Sequence, residues 1–260
     1  MNETKVVPAN KPFIEFFQET TNIARFAAKF FKEVFTPRYE IKEFINQCYQ
    51  IGYKSLPLVA ITGFIMGVVL TLQSRPTLAR FGAESWLPSM VAVSIIREIG
   101  PVITALICAG KIGSGIGAEL SSMKVTEQID AMEVSGINPF KYVVVTRILA
   151  AILMIPLLVI FSDFVGIVGA FIGVNIHADI NYQLFVSQIF NKLDFIDIFP
   201  AFIKTIFFGF AIGLIGCYQG YNAENGTEGV GKAANIAVVK ASLLVFIIDM
   251  LAVQVTNLFM

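Results

Sequence analysis

Residues 87–109 read LPSMVAVSIIREIGPVITALICA. An apolar block of this length suffices for a helix to cross a bilayer, which takes about 20 residues. Two charges, Arg97 and Glu98, interrupt it near the middle. Ionisable side chains inside such a segment are costly. They face a bundle interior or a cavity, and they mark either an ion pair or a pathway. This block therefore predicts one span of a helical bundle, and its charges require polar partners on other spans.

Outward from the block, the same signature recurs at 56–72, 148–174, 198–218 and 234–258, which makes five transmembrane helices. Arg75-Pro76 and Gly82 are expected to form the turn between the first two. The whole chain agrees: of its 260 residues 56% are hydrophobic and only 15% charged, with a mean hydropathy of +0.73. A soluble domain carries about 25% charged and about 45–50% apolar residues. Because the excess lies in blocks rather than at a helical or strand period, an all-α soluble protein is the poorer reading. The formal net charge is zero, so no overall field points to nucleic acid. Cys48, Cys108 and Cys217 lack metal-type spacing and read as small apolar residues, and His177 has no partner motif.

Before the first span, residues 12–35 place Phe13, Phe16, Phe17, Ile23, Phe30 and Phe31 on one face and mostly charged residues on the other. This suits a helix lying in a membrane interface, or else one packed on a soluble partner. Thr36-Pro37 stops it, and a second amphipathic stretch around Ile41, Phe44, Ile45 and Cys48 follows. No compact apolar run with a small-residue cleavage site appears in the first 35 residues. The expected organisation is a polar and interfacial segment, 1–55, and a five-helix transmembrane domain, 56–260, containing a cytoplasmic loop at 111–146. Thirteen Lys/Arg fall on the side of the N-terminus and of that loop, against Arg75, Arg80 and Lys192 on the other. The bias places the N-terminus in the cytoplasm.

Five GxxxG pairs, Gly63/Gly67, Gly113/Gly117, Gly169/Gly173, Gly209/Gly213 and Gly216/Gly220, favour a tightly packed bundle or homodimer. Four charges within the spans stand out: Arg97, Glu98, Lys204 and Asp249. Lys204 lies near a span end, where it could snorkel, as could Lys240. Asp163 interrupts the third span beside Ser162. The four sum to zero, so they either neutralise one another or line a cavity that meets a polar headgroup. The run Gly110–Ala118 is no phosphate-binding loop: Ile112 follows Lys111 where Ser or Thr is required, and no strand precedes the run. No Ser-His-Asp set, HExxH or CxxC pair is present.

In the loop, Thr126 is placed to cap a helix over 127–135 carrying Glu127 and Asp130 in its first turn. Gly136 would end it, with Pro139 just beyond. Ile129 and Met132 share a face flanked by Glu127, Asp130 and Glu133. That fits either a knob for a cytosolic motor or a plain solvated helix.

The segment from Arg97 to Ala150 contains REIGP, then GAELSSMKVTEQIDAMEVSGINP, then RILA. In this order and spacing it closely resembles the MlaE family of ABC-transporter permeases. The resemblance covers most of the chain, although the first 35 residues match only in character. It implies an all-α protein with an N-terminal interfacial helix, five spans and a short cytoplasmic coupling helix. It implies a homodimer in a bacterial inner membrane that moves phospholipids between that membrane and the outer envelope, maintaining lipid asymmetry. A separate ABC ATPase, holding the ATP and Mg, would dock on the loop corresponding to Glu119–Gly136. A periplasmic MCE-domain protein would sit on the outer side, and some systems add a STAS-domain regulator. The positions of Arg97, Glu98, Lys204 and Asp249 fall in or near the family's lipid cavity. No catalytic residue or cofactor is implied for this chain. A sterol is the substrate alternative within the same architecture. A secondary transporter would want inverted repeats, which five spans cannot divide into, and a non-transporting scaffold is the remaining rival.

Overall fold

The computed structural model describes residues 11–37, 40–176, 181–224 and 226–259, so His177 lies outside the described residues. The chain forms two units, 1–39 and 40–260. In the first, α1 (Lys11–Val34) is a single helix with Phe17 and Phe31 exposed along it, and it ends where the Thr36 N–H donates to the Glu33 carbonyl.

The second unit is helical throughout, with no strand among its described residues. Five helical stretches are long and apolar enough to cross a membrane: Ile41–Arg80, Glu84–Val125, Phe140–Asn175, Asp197–Tyr221 and Thr227–Leu258. The first joins α2 (Ile41–Ile51) through a short turn to α3 (Leu56–Arg80). Contrary to expectation, the chain does not turn at Arg75-Pro76. Pro76 lies inside α3, about one turn before its end, and costs the helix one backbone hydrogen bond without ending it; the reversal comes at Gly82, whose φ is +67°. The second stretch comprises α4 (Leu87–Ser94), a π-turn at Ile95–Ile99, α5 (Gly100–Cys108), a second π-turn at Ala109–Gly113, and α6 (Ser114–Val125). After α7 (Gln128–Val134), a π-turn at Phe140–Val145 leads into α8 (Thr146–Asn175). The short α9 (Tyr182–Phe190), α10 (Phe195–Tyr221) and α11 (Thr227–Phe259) complete the unit.

Among lipid-like side chains, helices gain most from close backbone approach, and the glycines decide where that happens. Between α3 and α8, a Cβ on Gly63 would fall 2.7 Å from the Ser162 carbonyl oxygen, and one on Gly67 would strike the Gly166 backbone. Gly169 faces the Phe64 backbone across the same seam. Gly209 brings α10 against α8, its Cβ position lying 2.6 Å from the Ala151 oxygen, and Gly220 brings α10 against α6, 2.8 Å from the Gly117 oxygen. The small-residue pairs thus build the monomer's own bundle. Gly67→Leu is expected to break the α3–α8 seam, costing about 1–3 kcal/mol or more. Gly110→Ala meets nothing within 4 Å and should be silent. Thermal unfolding of the two purified variants in detergent checks the contrast.

α8 is the central span, with Ile148, Ala151, Ile155 and Leu158 fully buried, whereas the most apolar stretch of α11 is only 17% buried. Cys108 and Cys217 are buried core residues, and Cys48 is partly exposed.

Candidate functional site

Pro101 shapes the centre of the second span. Its ring would clash with the carbonyl of Arg97 in a regular helix, and it has no N–H to donate there. The helix widens instead: the Gly100 N–H donates to the carbonyl of Ile95, five residues back, making the π-turn that carries Arg97 and Glu98. Such turns often stand at functional sites because they re-aim side chains.

Glu98 and Asp249 converge on Lys204. The Lys204 ammonium donates to Glu98 Oε2 at 2.6 Å and to Asp249 Oδ1 at 2.9 Å. Lys204 is only 4% exposed, so it does not snorkel as its place near a span end suggested; the two carboxylates hold it inside. Arg97 does not join this trio. Its Nε lies 3.1 Å from Oδ1 of Asp197, in the first turn of α10. Asp197 is buried and also accepts from the Asp194 N–H at 3.1 Å, one half of a capping box that starts α10. Sequence reading missed Asp197 by beginning the span one residue later. The capping spacing Asp194-x-x-Asp197 was the available signal that its carboxylate is held in place. Asp163 packs its carboxylate against Gly100, with Oδ1 buried and lacking a hydrogen-bond partner.

A cavity of about 300 Å³ takes its polar wall from Ser94, Arg97, Glu98, Asp197, Lys204 and Asn257, while Asp249 holds Lys204 without lining the cavity itself. Against it lies an apolar groove of about 590 Å³ between α10 and α11, walled by Phe199, Ile203, Phe207, Ile248, Leu251 and Val255. Pro200, Lys204, Ala252 and Thr256 line both. A charged chamber thus opens beside a hydrocarbon-lined one, with the Lys204 side chain at their boundary.

The second cluster lies at the other end of the spans. Much of the 111–146 segment is helical rather than loop, because α6 continues the second span to Val125. Thr126 does not cap α7; its hydroxyl donates back to the Ser122 carbonyl at 2.8 Å. The residue preceding α7 is Glu127, in the left-handed region at φ 58°, a conformation costing about 1–2 kcal/mol for a residue with a Cβ. The strain makes a sharp corner between α6 and α7. Gly136, at φ +76°, ends the segment as expected. Ile129 is buried and Met132 half-buried, while Glu127, Asp130 and Glu133 are exposed along with Val134. Glu119 stands apart from this knob. Its carboxylate accepts from Arg147 Nη2 at 2.8 Å, and the guanidinium, 2% exposed, also donates to the Val143 carbonyl. This pair, which sequence did not foresee, joins the middle of α6 to the start of α8 and closes the base of the α7 excursion.

Comparison with known proteins places these features in context. A family model described as Permease MlaE matches residues 44–255. A probable ABC transporter permease protein of Rickettsia felis is 38% identical over 249 residues, covering 96% of this chain and 95% of the relative. Another from Synechocystis is 33% identical, covering 84% and 82%. The intermembrane phospholipid transport system permease protein MlaE of Haemophilus influenzae is 36% identical over 207 residues, covering 79% of each chain.

Proposed function

The chain belongs to the MlaE permease family, and on that premise we propose that it holds a phospholipid during ATP-driven transfer between an inner membrane and the outer envelope. The observation that carries the reading is the shared wall of the two cavities. Charged groups of both signs suit a zwitterionic or anionic headgroup, and the adjoining apolar groove suits acyl chains. A sterol offers a single hydroxyl and would leave most of the charged wall unmatched. Organic extraction and mass spectrometry of the purified complex test this. Glycerophospholipid should be retained by the native protein and depleted in Ala252→Phe, which puts an aromatic ring on the shared wall. Recovery of sterol alone, or of no lipid, would overturn the reading.

The same geometry supports a homodimer. Glu98 is nearly half exposed, and Ser94, Thr256 and Asn257 lie along a bilayer-depth surface beside the thinly buried α11. Polar groups facing lipid are costly, so a second copy across this face would enclose the chamber. ATP and Mg would reside on a cytosolic ABC ATPase that docks on α7 through Glu127, Asp130, Met132 and Glu133, with Glu119 bracing the base. An MCE-domain protein on the outer side, and a STAS-domain regulator on the ATPase, complete the assembly that the resemblance implies. Replacing Glu127 and Asp130 together by Ala is expected to cut ATPase co-purification at least tenfold while leaving the thermal transition of the spans unchanged. Full co-purification would remove α7 as the dock.

A further inference from the structure

At the span ends opposite α7, the connections gather large aromatic side chains. α9 turns its inner face to the spans: Phe185 and Ile189 are buried in a cluster with Leu87 and Val91 of α4 and Ala170 and Val174 of α8. The Phe171 ring meets Phe185 edge-on at 5.3 Å and Tyr182 at 5.5 Å. The cluster includes Ala92 and Ile95, and Ile95 stands roughly 12 Å along the helix from Leu87 at 1.5 Å per residue. α9 therefore packs against α4 and α8 instead of standing away from the spans.

Its other face, and the neighbouring connections, leave Phe81, Trp86, Tyr182, Leu184, Phe190 and Phe195 exposed, Phe195 by 91%. The Lys192 ammonium lies 4.6 Å over the Trp86 ring and so links the 81–86 connection to the one following α9. Trp and Tyr with apolar bodies and polar tips, beside a lysine whose stem lies on a ring, make up the chemistry of a membrane–water boundary. The patch is also continuous with surface already facing hydrocarbon: Val168, Ile172 and Ile176 lead to it along α8, and Ile198, Phe199 and Phe202 lead away along α10. A water-facing surface would bear these rings at a high cost.

We propose that this rim is a lipid-docking surface, with α9, Trp86 and their aromatic neighbours seated in the interfacial layer of the bilayer rather than against a protein. Lys192 then holds the two connections at one depth, its ammonium reaching the headgroups. The rim fixes how deep the spans sit, and it does so whatever substrate the charged chamber takes.

The chain has one tryptophan, so the emission of the unmodified protein reports Trp86 alone. In phosphatidylcholine vesicles carrying bromine near the headgroup end of the acyl chains, emission should fall by at least half relative to unbrominated vesicles. Aqueous acrylamide should quench it weakly. Phe190→Trp in a Trp86→Phe background reads α9 itself and should behave alike. Emission indifferent to bromine but fully quenched by acrylamide, in both proteins, would overturn the proposal. Shielding that appears only on adding a partner protein would likewise overturn it, assigning the rim to protein docking.

Discussion

Lys204→Met should abolish transport and destabilise the spans by about 3 kcal/mol, the low end of the range for breaking a buried pair. The ammonium is the shared partner of Glu98 and Asp249, so its loss leaves two neighbouring carboxylates without the cation between them. The low end applies because both carboxylates keep some exposure, Glu98 46% and Asp249 19%. A variant that also carries Glu98→Gln and Asp249→Asn removes the repulsion, and its thermal transition should return close to that of the native protein. Transport, read as lipid flux between donor and acceptor vesicles with ATP and the full complex, should remain lost, because this part of the chamber wall would offer the headgroup no charge. Recovery of both stability and flux in the triple variant would mean that the cluster only holds helices together.

At the Glu119–Arg147 pair the expected order of effects is unequal between partners. Glu119→Ala strands the buried Arg147 guanidinium with little beyond one backbone carbonyl, and should cost about 3 kcal/mol. Arg147→Met replaces a buried cation by an apolar chain of similar length and leaves a carboxylate that already reaches water, 55% exposed; it should cost far less. The double variant should be nearly as stable as the native protein. If the pair transmits motion from α7 to α8, the double variant still hydrolyses ATP with its partner but moves lipid at least tenfold more slowly. Normal flux in it would leave the pair a structural strut alone.

Much of the architecture is legible in the amino-acid order. Apolar blocks located all five spans because the bilayer imposes a length and a composition that the sequence must meet. Gly136 marked the end of α7 because a positive φ asks for glycine. The intramembrane charges could be named because such residues are rare enough to count. Their pairing could not be read, since Lys204 meets Glu98 across 106 positions and Asp249 across 45, and no local rule ranks partners at that distance. Arg97 shows the consequence: its partner is Asp197, not the quartet that summed neatly to zero. Thr126 failed as a cap for a different reason. Its hydroxyl is within reach of the preceding turn, and the back-bond to Ser122 competes with capping.

The two π-turns of the second span also bear on what insertions and deletions would do. Each is a one-residue excess over regular winding, and one residue of α-helix is about 100° of rotation. Across Glu84–Val125 the two together advance the helix by about 200°, so the two ends present nearly opposite azimuths relative to an uninterrupted helix. One half can then show Arg97 and Glu98 to the chamber while the other lays Gly117 against α10 and α11. Deleting a single residue within 95–99 would let that turn close to regular winding and leave everything beyond it, α7 included, in place. A deletion from a regular turn of the same span would instead swing that part by about 100°. Each widened turn thus holds one residue in store, and the residue count of this span can fall by one at either π-turn without turning its ends.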